Sequence, residues 1–420
     1  MQERISHLPF ALLERKIFHA ATFLLIKKKA ERQAAEKQKP KCRASPFLFM
    51  RKGLVYAGQI AYNERNRTAL PRASDKTHLK RKENSVMKHI LLIATGGTIA
   101  SGNSENGLTP QISSEELLSY VPAAREFCTI DAVQILNIDS TNLQPEHWLL
   151  MARTVRENYD KYDGFVICHG TDTMAYTSSA LSYLIQNSPK PIIITGAQKP
   201  ISMEITDAKT NLLDSLRFAA CPDAHGVTIV FNGKIIAGTR AKKVHSKSFN
   251  AFDSINFPVL ATIRNNKIVH YVKDSCPCSY PAFYSDINPK VCLVKLIPGM
   301  EPDLLPWIGE HYDAVIIESY GVGGLPSAPD RDFLKEVDKL IADGKIVVMT
   351  TQVMYEGSDM EVYEVGHIAK ERYGLIESYD MTLEATVTKL MWIMAQTHDP
   401  QRIKAMFYTT INHDILFQNN

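Results

Sequence analysis

The sequence predicts an α/β fold of two α/β domains. The larger, amino-terminal one has a mostly parallel sheet, the carboxy-terminal one is smaller, and a leader precedes both. Three observations carry this expectation. The chain has 420 residues, 45% apolar and 22% charged, a globular composition with room for two domains. From Met87 onward, short β-branched runs alternate with segments of helical period, the pattern of parallel strands joined by helices. Charge divides at the same point. Residues 1–86 hold 20 of the 48 Lys and Arg and 7 of the 45 Asp and Glu, so a segment of +13 precedes a body of −10.

The leader, residues 1–86, shows no sustained period. "FHAATFLLIKKK" has its lysines after the apolar run, the reverse of a secretory signal. "ERQAAEKQKPKCR" and "SDKTHLKRKENS" read as solvated linker, and "GLVYAGQIAY" has strand character but no evident partner. The expectation is an unstructured or artefactual leader, with translation starting at Met87. A flexible basic extension, including an organelle-targeting arm, and a small accessory domain are the competing readings. On the first reading the +13 charge says nothing about the body, and neither a nucleic-acid nor a membrane partner is expected. No apolar stretch reaches the roughly 20 residues that a spanning helix needs.

In the body, "HILLIATGG", "VQILNID", "GFVICHG" and "PIIITGAQ" read as strands, each bounded by Gly, Pro or Asp. "PEHWLLMARTVRENYD", "MAYTSSALSYLIQ" and "TNLLDSLRFAA" read as amphipathic helices. Pro145 stands at the first helical position, with Asn142 or Gln144 as cap. Residues 276–290, rich in Pro, Ser, Cys and Asp, read as a linker between domains at 87–275 and 291–420. The second domain repeats the alternation: strands "VCLVKLIPG", "DAVIIESYG" and "KIVVMTT", helices "RDFLKEVDKLIADG", "EVYEVGHIAKERYG" and "TLEATVTKLMWIMAQT". Seven scattered cysteines, an odd number, predict no disulfide framework and a reducing compartment. Cys276 and Cys278 stand close, but no second Cys/His pair lies at ligand spacing, so no metal is expected.

The loops "TGGT", "DSTN", "HGTDT" and "TGAQ" each follow a strand. In a parallel sheet they collect along its carboxyl edge, where ligands bind. "GGTIAS" lacks the third glycine of a dinucleotide fingerprint, and no Gly-Lys-Ser/Thr loop is present. The first loop is then either a plain strand-to-helix turn or a support for a hydroxyl nucleophile. Asp172 has a helix cap as its ordinary role, but Thr171 beside it puts a second hydroxyl at the same edge. A threonine hydroxyl needs a base, and the chain offers His169, Lys243, His245 and several carboxylates. His169, ending a buried strand, reads as structural. Lys243 reads either as a surface lysine or as a proton shuttle beside Asp172.

"ATGGTIAS" followed by "HGTDTMAYTSSALS" resembles the bacterial-type L-asparaginases. The resemblance runs through "TGAQKPI", "TNLLDSL", "GTRAKKVHSKSFNAFDS", "ESYGVGG" and "DMTLEATVTKL", over essentially all of residues 87–420. The "TGAQ" and "SYGVG" forms look like the cytoplasmic type I branch. The resemblance implies Thr98 as the acylated nucleophile, and Thr171, Asp172 and Lys243 as a second threonine with its acidic partner and lysine. It implies Ser140 on the substrate α-carboxylate, Thr141 at a more variable substrate position, Asp172 on the α-ammonium, and the Ala197 carbonyl on the side-chain amide. It also implies L-asparagine as substrate, no cofactor, and a homodimer or homotetramer with sites near subunit contacts.

Two positions depart from the family pattern. Leu108 stands where an activating tyrosine is expected, leaving Tyr120, Tyr176 or a group from a neighbouring protomer as replacements. Val353 stands where some type I enzymes carry a cysteine of an allosteric site. The competing readings are the asparaginase-like subunit of an archaeal-type glutamyl-tRNA amidotransferase and a non-catalytic asparagine sensor.

Overall fold

The computed structural model describes residues 87–104, 107–110, 112–273, 280–362, 370 and 374–416; side chains at 103–111 are excepted. The chain divides into two units, Met1–Lys82 and Glu83–Asn420, and every described residue lies in the second. The expectations for the leader and for Cys276 and Cys278 lie outside the described residues, as does most of the expected helix "EVYEVGHIAKERYG".

Five strands form the parallel heart of the first domain: β1 (Lys88–Gly96), β2 (Cys128–Ile138), β3 (Gly164–Cys168), β4 (Pro191–Thr195) and β5 (Gly226–Phe231). Their order is β2-β1-β3-β4-β5, every pair parallel. β1, β3 and β4 read as unbroken apolar runs because both faces of the sheet are covered. Leu91 and Ile93 enter one core while Ile90 and Leu92 enter the other, and Phe165/Ile167 and Val166/Cys168 divide the same way. Helices α1 (Pro145–Asn158) and α2 (Met174–Leu184) cover the first face, and α3 (Ala208–Ala219) covers the second.

Pro145 does open α1. Gln144 is the cap, its N–H donating to His147 Nδ1 at 2.9 Å. α2 departs from the amphipathic expectation, since ten of its eleven residues are buried. Its serines make that burial tolerable: Ser178 and Ser179 both donate to the Gly238 carbonyl, and Ser182 donates to the Ser178 carbonyl.

The sheet continues into an antiparallel meander that helix-strand alternation does not reveal: β6 (Lys234–Ala237), β7 (Ala261–Arg264) and β8 (Lys267–His270). Its local signal is turn chemistry. Asn232-Gly233 and Asn265-Asn266 all adopt positive φ, between 49° and 71°, the requirement of tight two-residue hairpins.

The second domain is a four-stranded parallel sheet, β9 (Val291–Lys295), β10 (Ala314–Ser319), β11 (Ile346–Thr351) and β12 (Ile376–Glu377), in that order. Helices α4 (Leu304–His311) and α5 (Phe333–Ala342) cover one face. α6 (Leu383–Gln396) lies in the core shared with the first domain, where Trp392 stacks on Tyr183 at 6.0 Å. α4 and the terminal helix α7 (Pro400–Phe407) are additions to the expected elements. The expected linker is not structureless: Ala282–Phe283 pairs with Ile185–Gln186, and Phe283, Tyr284 and Ile287 pack on the core.

Buried charge also joins the two halves. The fully buried Arg240 donates to the Asp380 carboxylate at 2.8 Å and to the carbonyls of Asp380 and His413. Lys389 and Asp414, both without solvent exposure, pair at 2.6 Å, and the Tyr183 hydroxyl also donates to Asp414.

Candidate active site

Between β1 and β3 the order of strand addition reverses. Loops leaving the two carboxyl ends diverge there and open a crevice. "TGGT" leaves β1 and "HGTDT" leaves β3, with "DSTN" after β2 and "TGAQ" after β4, so the expected gathering of four loops is observed.

Backbone contact locks three of these loops together. Gly96 and Gly97 have φ of 102° and 78°, which turns the chain out of β1. A Cβ on Gly97 would lie 2.4 Å from the Gly170 nitrogen, and one on Gly170 would lie 2.5 Å from Ser140 Oγ. The glycines therefore serve close approach, and this brings the loop carrying Thr98 against the loop carrying Thr171. The first threonine of "TGGT" is structural: buried Thr95 donates to the Cys168 carbonyl at 2.8 Å. The second, Thr98, is half-buried at the start of a single 3-10 turn, and its hydroxyl has no hydrogen-bond partner among the described residues.

Thr171, Asp172 and Lys243 meet. Lys243 Nζ donates to Thr171 Oγ and to Asp172 Oδ1, both at 2.7 Å. Lys243 lies on the short strand Ala241–Lys243, where successive side chains alternate. Lys242 accordingly pairs with Glu384 of α6 at 3.0 Å, while Lys243 points to the crevice. The Lys243 side chain is 18% exposed and that of Asp172 is 56% exposed, so the carboxylate faces the open side. The Thr171 hydroxyl in turn donates to Gln198 Oε1 at 3.2 Å.

Ser140 is buried and accepts from the Asp172 N–H at 3.3 Å, which leaves its hydroxyl proton for a ligand. Thr141 is exposed, its hydroxyl turned back to Asp139 at 3.0 Å. Ala197 is fully buried, and its carbonyl accepts no hydrogen bond among the described residues. α2 begins just after Thr173, so its unpaired N–H groups favour negative charge at this edge.

Three residues beyond the expected set hold the "TGAQ" loop. Gln198 donates to the Ser248 carbonyl at 3.2 Å as well as accepting from Thr171. Asp207, buried at the start of α3, accepts from the N–H groups of Gln198 and Lys199. Asn211 donates to the Gly196 carbonyl at 3.0 Å and to Asp207 at 3.2 Å. Burial pushes the Asp207 carboxyl up, and these donors oppose the rise. The sequence signal is a polar pair at i,i+4 on a buried helix face. Asp207→Ala is expected to lower kcat/KM about 100-fold, the scale of a small misplacement of a reacting group, with Asp207→Asn losing less. Steady-state kinetics of the two variants checks that ranking.

His169 takes its structural reading. It is fully buried, with Nδ1 2.6 Å from the Gly170 carbonyl and Nε2 2.9 Å from the Thr177 hydroxyl, which also accepts from Trp148. One ring proton satisfies this chain, so the imidazole is neutral. Burial pushes its pKa down to about 4. Between that value and the ordinary ~6.5 the unfolded chain binds a proton that the folded chain refuses, so stability falls as pH falls through this window. A loss of about 3 kcal/mol by pH 4 is expected from this group, and denaturant melts of His169→Gln should show a shallower acid slope.

Among the described residues neither Tyr120 nor Tyr176 makes a hydrogen bond to Thr98. Tyr120 packs on the core that holds Ile99 and Ala100, with the Lys209 ammonium over its ring, and burial pushes the Tyr176 hydroxyl up to about 12, with Glu384 and Glu318 adding to the rise. Leu108 pairs with Asn103 in the two-stranded ladder Ser101–Ser104 with Gly107–Pro110 that follows the 3-10 turn. Val353 is exposed in the loop after β11.

Comparison with known proteins matches residues 89–275 to the family model described as asparaginase, N-terminal, and residues 290–407 to the glutaminase/asparaginase C-terminal domain. The chain is 41% identical to an L-asparaginase of Thermococcus kodakarensis over 78% of its own length and 98% of that protein's. It is 35% identical to L-asparaginase 1 of Escherichia coli K12, over 76% and 95% of the two lengths. One component of the glutamyl-tRNA(Gln) amidotransferase of Methanosphaera stadtmanae is 33% identical, over 80% and 78%. The solved T. kodakarensis L-asparaginase superposes with a TM-score of 0.75, covering 79% of this chain and 100% of that one. A structure described as a probable cytoplasmic L-asparaginase from Campylobacter jejuni, 26% identical, gives 0.66 and covers 76% and 99%.

Proposed function

The chain belongs to the asparaginase family, and from that premise we propose that it hydrolyses L-asparagine to L-aspartate and ammonia through a threonine ester, without a cofactor. The observation that carries the proposal is the crevice itself. One threonine hydroxyl without a partner among the described residues sits beside a second threonine tied to a lysine and a carboxylate.

In this reading Ser140 and backbone N–H groups hold the substrate α-carboxylate, Asp172 faces the α-ammonium, and the Ala197 carbonyl accepts from the side-chain amide. Thr98 Oγ attacks the amide carbon. The carbon–nitrogen bond breaks, the Thr98 proton ends on the departing ammonia, and a β-aspartyl ester remains. Water then attacks the ester beside Thr171, with Lys243 placed to exchange a proton with that hydroxyl. Thr98 is restored as aspartate leaves. Leu108 carries no proton acceptor, so the group that takes the Thr98 proton comes from elsewhere in the site or from a neighbouring protomer. A homodimer or homotetramer and a cytoplasmic setting accompany this reading. No helix among the described residues is long and apolar enough to cross a membrane.

One observation favours a second assignment of the nucleophile. Thr171, not Thr98, has the lysine at 2.7 Å, which puts a group able to exchange protons on that hydroxyl. The amidotransferase reading ranks below both, on the lower identity to the M. stadtmanae protein.

A coupled assay separates these activities. Ammonia and aspartate released in equal amounts from asparagine alone is the expected result. Binding without release would make the chain a sensor. Ammonia release only with a partner protein and charged tRNA would make it an amidotransferase component.

A further inference from the structure

On the opposite edge of the large sheet from the crevice, three metal-ligating side chains converge. Cys221 and Asp223 lie in the loop between α3 and β5, at the amino-terminal end of a parallel strand. His270 ends β8. Because β5 to β8 run alternately, the end of β8 falls at that same edge. Cys221 Sγ, an Asp223 carboxylate oxygen and a His270 ring nitrogen all lie within 4.8 Å of one another.

Neither the Asp223 carboxylate nor the His270 ring has a hydrogen-bond or ion-pair partner among the described residues. His270 only packs against Phe218, with ring centroids 6.4 Å apart. The loop reads Cys-Pro-Asp-Ala, and its turn is closed by the Ala224 N–H donating to the Cys221 carbonyl at 3.2 Å. Asp223 and His270 border a cavity of about 540 Å³ that His225 also lines.

We propose that Cys221, Asp223 and His270 form a binding site for a borderline-soft divalent cation, Zn²⁺ by ligand type. Sulfur, imidazole and carboxylate are the donors zinc takes, at about 2.0–2.3 Å. Donors at those distances sit about 3.3–3.8 Å from each other in a tetrahedron, so the present spacing of up to 4.8 Å closes by at most about 1.5 Å. Asp223 is exposed and free to make that movement. Water or His225 supplies the fourth position. Binding releases the thiol proton to solvent, so affinity rises with pH. The ion would tie the α3–β5 loop to the outermost strand of the sheet, on the far side from the catalytic threonines. Its role is to brace the meander, and it takes no part in amide hydrolysis.

Titration of the full-length, metal-stripped protein with Co²⁺ and with Zn²⁺ tests this. The expected result is one cobalt per chain, with a thiolate-to-cobalt charge-transfer band and the intense visible bands of a four-coordinate ion. Zn²⁺ should displace the cobalt and raise the melting temperature. Cys221→Ser should remove the charge-transfer band. His270→Ala should weaken Zn²⁺ binding at least about tenfold. Both variants should keep wild-type asparagine turnover and lose the Zn²⁺-induced shift in melting temperature. Absence of the band in the wild type would overturn the proposal. So would a band that survives Cys221→Ser and disappears in Cys276→Ser/Cys278→Ser.

Discussion

Thr98→Val is expected to reduce ammonia release from asparagine by about 10⁴-fold or more, the scale seen when a covalent nucleophile is removed. The fold should be untouched. Thr98 is half-buried and its hydroxyl has no partner among the described residues, so valine fills the same volume and orphans nothing. A stability change within about 0.5 kcal/mol is expected. Substrate binding should persist, because Ser140, Asp172 and the Ala197 carbonyl are retained. Calorimetry that shows asparagine binding without heat of turnover checks this. Near-normal turnover would remove Thr98 from the chemistry.

Thr171→Val is expected to cost about 10²–10⁴ in kcat/KM, the range for a positioned proton-transfer group. The physical reason differs from that at Thr98. The Thr171 hydroxyl is the junction between Lys243 and Gln198, at 2.7 and 3.2 Å. Removing it severs the lysine from the reacting centre, while Asp172 still holds the Lys243 ammonium. Lys243→Met should cost a similar factor, and the double variant should be little worse than either single one. Groups that act as a unit are not additive. Additive losses would mean that the two residues act separately. A single-turnover experiment refines the test: if Thr171 serves ester hydrolysis, its valine variant should give a burst of ammonia and then stall.

Much of this site is legible in the sequence because its parts end strands. A β-branched run followed by Gly, Ser or Thr marks a carboxyl edge, and a parallel sheet brings such edges together. That argument reaches the loops "TGGT", "DSTN", "HGTDT" and "TGAQ" and the threonine hydroxyls in two of them without coordinates, while the family resemblance singles out Thr98, Ser140 and Ala197 within them. It does not reach Lys243 alone, which sits among other basic residues on a short strand. The family resemblance points to it, and strand alternation explains why Lys243 rather than Lys242 turns inward. Asp207 and Asn211 escape the sequence reading, although their spacing on a buried helix face is visible there. Their partners are backbone groups of a loop distant in sequence. Arg240 reads as one more surface cation until the carboxy-terminal segment folds over it. The meander β6 to β8 escapes for another reason. Its strands are four residues long, and only the turns at Asn232-Gly233 and Asn265-Asn266 announce it.

The identity of the acylated threonine is the centre of this account, because the geometry pairs the lysine with one threonine while the proposed chemistry uses the other. Rapid acid quench during turnover of asparagine, followed by proteolysis and mass spectrometry, tests it most directly. The account predicts a β-aspartyl ester on the peptide that contains Thr98, stronger in Thr171→Val than in the wild type and absent from Thr98→Val. An ester found on Thr171 instead, and retained in Thr98→Val, would contradict it.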